Sequence, residues 1–341
     1  MLAASTFFVS VCAAQTLSKQ PSPDVKSIMP PLTAVTAVQP RFQLDPALPE
    51  YRRVESVSGK LASVGSSALT QLINRWGEDL KRLHPALDIE VTGGGSGSAP
   101  TALTSGNADL APMSRPMNAA EKKSFQDKFG YAPTQITVSV DALAIYVNKN
   151  NPLKRISLRE LDALYSLTLK RGGAAEIKTW GQLGLSGEWA QKTIRVFGPN
   201  SSQGMYGVFR ADVLQGGEYR YDLRTEPVAS AIVQGVGADD EAIGFASHVL
   251  MSHRAKPLAL SDLPDGAAIE LTQDTATSNQ YPLARRLYIY VNRKPGTALS
   301  PALHELVRYV CSKQGQNVAI ELGSFPLSAA LSEKECLSAL K

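Results

Sequence analysis

The residues of this chain best placed for chemistry are neutral donors grouped in turns. Ser66, Ser67, Ser96, Ser98, Ser114, Ser201 and Ser202 lie in or beside Gly/Ser-rich segments, and one cation, Arg115, adjoins them. The densest segment runs Val91-Thr92-Gly93-Gly94-Gly95-Ser96-Gly97-Ser98-Ala99-Pro100. Glycines let successive N–H groups point at one spot, serine hydroxyls add donors, and a following helix N-terminus adds partial positive charge. Such a turn holds an anion without formal charge, although Gly/Ser turns are also ordinary loop punctuation. A tetrahedral oxyanion has four acceptor oxygens and suits a cage of about a dozen short donors.

Catalytic signatures fail residue by residue. A nucleophile elbow requires G-x-S-x-G, whereas Gly94-Gly95-Ser96-Gly97-Ser98 ends in serine. A dinucleotide fingerprint counted from Gly93 meets Ser98 at its last glycine, and Gly59-Lys60 is followed by Leu61 where a P-loop needs Ser or Thr. His304-Glu305 begins like a zinc motif, but Arg308 stands where the second histidine belongs. The four histidines, His84, His248, His253 and His304, fall at no metal-ligand spacing. The expectation is a binding protein, without catalytic residues, metal or cofactor.

The elements that must position these turns follow from periodicity. Lys60–Val64 reads as a strand into the turn Gly65-Ser66-Ser67, where serine is also a helix cap. Leu69, Leu72, Ile73, Trp76, Leu80 and Leu83 then recur at helical spacing. A second strand, Asp88–Thr92, enters the glycine-rich turn, and a helix covers Pro100–Thr104. Ala108–Pro112 reads as a strand delivering Met113-Ser114-Arg115-Pro116, and Thr134–Tyr146 as a β-rich run interrupted by Asp141. Thr193–Phe197 leads into Gly198-Pro199-Asn200-Ser201-Ser202-Gln203-Gly204 and a helix. Ala242–Ala246 and Leu287–Val291 are further strands, and Leu303–Cys311 and the segment after Gly315 are helical. Strands alternating with helices predict an α/β fold with parallel-rich sheets, whose ligands sit beyond the C-terminal ends of the strands. All three Gly/Ser turns occupy such ends.

With 341 residues, 43% hydrophobic and 19% charged, the chain has material for two cored domains. A net charge of +4 with intermixed signs argues against nucleic acid as the partner. Residues 1–14 are apolar or small and too short to span a bilayer, which reads as a secretory leader lacking its usual basic start. Cys12 follows Val11, a poor context for a lipid anchor. Residues 15–50 carry seven prolines and read as an extended arm. After leader removal Cys311 and Cys336 remain, an even pair that in an exported chain suggests one disulfide; two buried free thiols are the alternative.

Several short motifs follow one another along the chain: Ser63-Val-Gly-Ser66, Gly93-Gly-Gly-Ser-Gly97, Pro112-Met-Ser-Arg115, Asp141-Ala-Leu-Ala-Ile-Tyr-Val-Asn148, Trp180-Gly-Gln-Leu-Gly184, Ile243-Gly-Phe245, Tyr281-Pro-Leu-Ala-Arg285, Tyr288-Ile-Tyr-Val291 and Ser324-Phe-Pro-Leu327. Through them the chain from Val57 to Leu327 resembles the phosphate-binding proteins of bacterial ABC transporters. The resemblance implies a type II periplasmic-binding-protein fold, a Venus flytrap of two α/β lobes with the anion in the cleft between them. It implies a first lobe of 51–147 plus 286–341 and a second of 148–285, with crossings near Val147–Asn151 and Tyr281–Arg286. It also implies a monomer in the periplasm that hands phosphate or a related oxyanion to a permease in the inner membrane.

Carried over by motif, the ligand set is Ser66, Ser67, Ser96, Gly97, Ser98, Ser114 and Arg115 from the first lobe and Asn200, Ser201, Ser202, Gln203 and Gly204 from the second. Phosphate carries a proton that sulfate lacks at neutral pH, so Asp141 is the candidate acceptor, with Asp109 a poorer one. Asp141 alternatively caps backbone N–H groups, and Arg115 alternatively forms an ion pair. The second-lobe turn departs from the family pattern: Pro199 replaces an arginine, Gln203 a serine and Met205 a threonine. The competing reading is therefore a degenerate relative, a scaffold or sensor, or a binder of a different ligand.

Overall fold

Alternating period-2 and period-3.6 runs become strands and helices in the order the sequence predicts. A computed structural model of the chain describes residues 42–55, 57–248 and 252–340, all within one unit spanning Ala37–Lys341. The leader 1–14 and residues 15–41 of the arm lie outside the described residues.

β1 (Gly59–Gly65) passes through a 3-10 turn, Ser67–Leu69, into α1 (Thr70–Leu83), whose apolar stripe buries Leu72, Ile73, Trp76 and Leu80. β2 (Leu87–Gly93), α2 (Ala99–Ser105) and β3 (Ala111–Met113) follow. α3 (Ala119–Phe129) opens on a capping box in which Asn118 and Glu121 satisfy each other's backbone N–H. The chain continues through β4 (Thr134–Asn148), β5 (Arg155–Ser157), α4 (Leu158–Tyr165), β6 (Arg195–Pro199) and α5 (Gly204–Asp212). Next come β7 (Arg224–Glu226), α6 (Ala229–Ala238), β8 (Ala242–Ser247), β9 (Ala255–Pro257), β10 (Ala259–Ser261) and α7 (Gln273–Thr277). β11 (Ala284–Val291), α8 (Pro301–Val310), α9 (Lys313–Glu321) and α10 (Ala329–Glu335) complete it. Among the described residues no helix is long and apolar enough to cross a membrane.

The sheets are more mixed than the strand–helix alternation predicts. β1 pairs with β2 and β5 with β10 in parallel, and the seven-stranded sheet runs β3-β11-β4-β8-β6-β7, with β9 also on β4. In it β6 is parallel to β7 and β8, whereas β11 is antiparallel to β3 and β4, and β4 to β8 and β9. A crossover helix enforces parallel pairing only between strands it joins. β4 and β11 are remote in sequence and meet free of that constraint.

β4 is one unbroken strand. Asp141 does not interrupt it but marks where it changes partners: Thr134–Ala142 pair with β11, and Leu143–Val147 with β8. The exchange lies upstream of the 147–151 segment to which the sequence reading assigned a crossing.

The Pro-rich arm is not free along its whole length. Leu48 is buried, the Lys313 N–H donates to the Pro49 carbonyl at 2.9 Å, and the Ala329 N–H donates to the Asp45 carboxylate at 2.8 Å. Phe42 packs on Phe325 with ring centroids 4.6 Å apart. Residues 42–50 thus use alternate apolar and acidic side chains as anchors, a pattern that proline content obscures. Trp180 and Trp189 meet edge to face at 6.0 Å.

Cys311, at the end of α8, and Cys336, at the end of α10, form a fully buried disulfide across a separation of 25 residues. The even-pair reading holds. A closed loop of this length stabilises a fold by about 3 kcal/mol in the chain-entropy account. Cys311→Ser with Cys336→Ser is expected to lower the unfolding free energy by that order in denaturant titration. Intact mass of the wild type should rise by about 2 Da on reduction, a shift set by two hydrogens; no rise removes the bond.

Candidate functional site

Three strand ends meet at one place because one glycine lets them. The Gly65 carbonyl accepts from the Gly94 and Gly95 N–H groups at 2.9 and 3.0 Å, and the Ser66 N–H donates to the Pro112 carbonyl at 2.8 Å. A Cβ on Gly65 would lie 2.3 Å from that Pro112 oxygen, so any side chain there forces β1 and β3 apart. Gly95 adopts φ +81, a left-handed conformation that suits glycine, and turns the chain toward Ser96. The Ser96 hydroxyl then lies 3.2 Å from the Ser114 hydroxyl and accepts the Ser114 N–H at 3.1 Å. Turns from β1, β2 and β3 are thereby stitched into one wall.

That wall faces a cleft of about 560 Å³ whose lining includes Ser66, Ser67, Ser96, Ser114, Arg115, Asp141 and Gly204 from the sequence-predicted set. Ser66 is buried and caps the 3-10 turn, its hydroxyl accepting the Ala68 N–H at 3.3 Å. Ser67 is exposed, and as the first residue of that turn it has an N–H with no intrahelical acceptor. Ser67, Ser96 and Ser114 are the donors best placed to meet a ligand.

The rest of the predicted set is not brought into the cleft lining. Ser98 donates to the Gly95 carbonyl at 3.0 Å and so closes its own turn, while Gly97 is exposed beside it. In the second turn the Asn200 side chain accepts both the N–H and hydroxyl of Ser202, at 3.2 and 2.6 Å. Gln203 donates its amide to the Glu226 carbonyl at 2.8 Å, and Ser201 is exposed. Asn200 and Ser202 thus satisfy each other inside the loop, a competition that short Asx-type turns regularly win, and Gln203 ties the loop to β7. Asp109, the poorer acceptor candidate, accepts the Ala62 N–H at 2.8 Å and is likewise occupied.

Both candidate charges carry partners. Arg115 makes a two-pronged pair with Glu121 at 2.8 and 2.7 Å and donates to the Pro116 carbonyl. Glu121 holds the guanidinium protonated, and the Arg115 contact draws the Glu121 carboxyl below its usual range. Asp141 accepts from Nε and Nη2 of Arg285 at 3.1 and 2.7 Å and from the Ala142 N–H at 2.8 Å, with His248 Nδ1 3.6 Å away. Burial alone would raise the Asp141 carboxyl, but the Arg285 charge and then the His248 ring overcome it and hold the group well below the carboxylate range. Asp141 thus caps a backbone N–H and pairs with an arginine while its residue still lines the cleft.

Sequence reasoning missed four groups in the lining: Arg285, Asp212, Ser247 and Ser324. Arg285 and Ser324 sat inside recurrent motifs but carried no assigned role. Asp212 ends α5 with no sequence signal, and its carboxylate has no hydrogen bond or ion pair among the described residues. Burial raises the Asp212 carboxyl, opposed by Arg285 and Arg171.

A set of neutral donors at the C-terminal ends of strands, in a cleft of an α/β fold, is the arrangement of a solute-binding site. Comparison with known proteins agrees. A family model described as PBP superfamily domain matches residues 52–314. The chain is 40% identical over 314 residues to the phosphate-binding protein PstS of Pseudomonas aeruginosa, covering 91% of this chain and 97% of the relative. Among solved structures it resembles PstS from Borrelia burgdorferi, with TM-score 0.64 and 16% identity over 80% of this chain and all of the other. An ABC-type phosphate transport receptor from Vibrio cholerae matches with TM-score 0.62 and 20% identity, covering 78% of this chain and 99% of the receptor. The chain belongs to the PstS family of phosphate-binding proteins, solute binders of the two-lobed type II fold.

The depressed Asp141 value sets a pH dependence. Its stabilisation is complete above the unfolded value of about 4 and is lost as pH falls below it toward the folded value. Asp141→Asn is expected to destabilise the fold by roughly 3 kcal/mol at pH 7. Thermal melts of both proteins should show the gap shrinking as pH drops below 4; a gap independent of pH contradicts the assignment.

Proposed function

We propose that this chain is an exported solute-binding protein that captures a phosphoryl oxyanion in its cleft and delivers it to an ABC permease in the inner membrane. The observation that carries this reading is the convergence of Ser67, Ser96 and Ser114 from three strand ends on one cleft wall. Hydroxyl and N–H donors match the oxygens of a tetrahedral anion, and they remain neutral when the cleft is empty, so no charge is left buried. The 40% identical PstS relative, named as phosphate-binding, supports the same ligand class. Delivery would follow lobe closure around the ligand, a hinge motion that presents the closed form to the permease.

The lobes in this reading are 51–147 with 286–341 and 148–285, and the partner exchange of β4 at Ala142–Leu143 supports a crossing at or just before that boundary. The leader 1–14 accounts for export to the periplasm. The protein works as a monomer, without nucleic acid, cofactor or catalysis.

A second reading has its own observation. Asn200 and Ser202 bond to each other within their turn, Gln203 is held by the Glu226 carbonyl of β7, Pro199 lacks both N–H and charge, and Met205 brings a thioether to the cleft. A relative with one donor wall binds inorganic phosphate weakly and serves a different ligand or a scaffold role.

Titration calorimetry with phosphate and sulfate tests the capture reading. Phosphate is expected to bind, and Ser96→Ala and Ser114→Ala each to weaken it about five- to tenfold, the loss of one hydrogen bond of about 1 kcal/mol. Absence of heat with every phosphoryl compound tried refutes capture.

A further inference from the structure

We propose that the segment Phe42–Asp45 is a strap across the back of the hinge, which favours the open cleft and so lowers its apparent affinity for phosphate. The proposal rests on the reading of the cleft as a phosphate site between the lobes 51–147 with 286–341 and 148–285. It adds what sets the balance between the open and closed forms.

The segment is fastened on both sides of that boundary. Toward the second lobe, the Gln43 N–H donates to the Gln273 side chain at 2.9 Å, and the Gln273 amide donates back to the Gln43 carbonyl at 2.8 Å. Gln273 opens α7, so this reciprocal pair ties the strap to that helix. Toward the first lobe, the Asp45 carboxylate accepts the Ala329 N–H at the start of α10 at 2.8 Å. Phe42 sits at the seam. Its ring lies 5.4 Å from His248, just after β8, and 4.6 Å from Phe325, and those two rings stack on each other at 3.8 Å.

The seam and the cleft lie on opposite faces of the strands. Asp141, Ser247 and Ser324 line the cleft. Ala144 and Tyr146 of β4, with His248 and Phe325, instead line the groove that Phe42 enters, as the alternation of side chains along extended backbone requires. Lobes that close over a ligand in front turn about the strands between them, so the surfaces behind must part. Closure therefore draws Gln273 away from Ala329. Only Leu44 separates the two anchor residues Gln43 and Asp45, and two residue steps reach at most about 7 Å however extended. The strap has little slack with which to follow.

The strapped form is the open one. Its cleft of about 560 Å³ is several times what a single tetrahedral oxyanion fills. Contacts made only in the open form withdraw population from the closed form, and the apparent affinity falls by the same factor. The strap thereby exchanges some affinity for easier release.

Calorimetry with inorganic phosphate on the full chain, on Gln273→Ala and on Phe42→Ala with Gln273→Ala tests this. Gln273→Ala is expected to tighten phosphate binding about twofold and the double variant about fivefold, as loss of weak contacts exclusive to the open form allows. Glu50→Ala serves as the control, because Glu50 pairs with Lys313 and Gln314, both in the first lobe, and should leave phosphate affinity unchanged. Equal or weaker phosphate binding by the double variant overturns the strap, as does an equal gain from Glu50→Ala; either result leaves phosphate capture standing. Absence of phosphate binding in every form overturns the capture reading and the strap with it.

Discussion

The Asp141 carboxylate lies at the one point of the long central strand where the fold changes direction of growth. Residues through Ala142 pair with β11 and those from Leu143 with β8, so a charge placed here must be satisfied from both sides. Arg285 of β11 supplies the counter-charge, the Ala142 N–H a local hydrogen bond, and His248 at the end of β8 a nearby ring. An ion pair in such a setting persists only when every lone pair finds a donor. The result is a cleft floor held by charge yet presenting little net charge to a ligand. Asp141 therefore acts as a fastening for the strand crossing.

With both arginines committed to carboxylates, the cleft wall presents neutral donors. Gly65 makes this possible by letting β1 approach β3 at backbone distance, which brings the first three strand ends into register. Neutral donors hold an anion without demanding one, so the empty cleft carries no uncompensated cation. This is the chemistry of a protein that must release what it captures. The second wall departs from it: α5 shows side chains of apolar character, and in the turn before it Ser202 donates to Asn200 and Gln203 to Glu226 of β7.

Particular residues mark how far the sequence could be read. Helical spacing from Leu69 to Leu83 was enough to define α1, and its buried stripe follows that spacing residue by residue. The even cysteine pair was enough for the disulfide, because export leaves few other uses for two thiols. Ser67, Ser96 and Ser114 were legible as donors because each stands just after a strand. Ser98 and Ser202 stand in similar positions and close local turns instead, since a short hydroxyl beside a free carbonyl or Asn side chain bonds to whichever acceptor is nearest. Residues 42–50 read as a loose arm on proline content, yet Leu48 and Asp45 dock it.

What the sequence determined by itself was local: where strands end, where turns are permitted, which residues bring donors, and which family the motifs belong to. The strand ends, turns and donor positions follow from backbone sterics and hydrophobic period, which act between neighbours in the chain, and the family from the resemblance of the motifs. Tertiary structure alone decided which donors face the cleft and that Asp141 belongs to Arg285. Those outcomes depend on contacts between residues far apart in the chain, 144 positions for Asp141 and Arg285. No local preference encodes the distance between such groups. Packing of the strands does, and with it the difference between a serine that binds and a serine that caps.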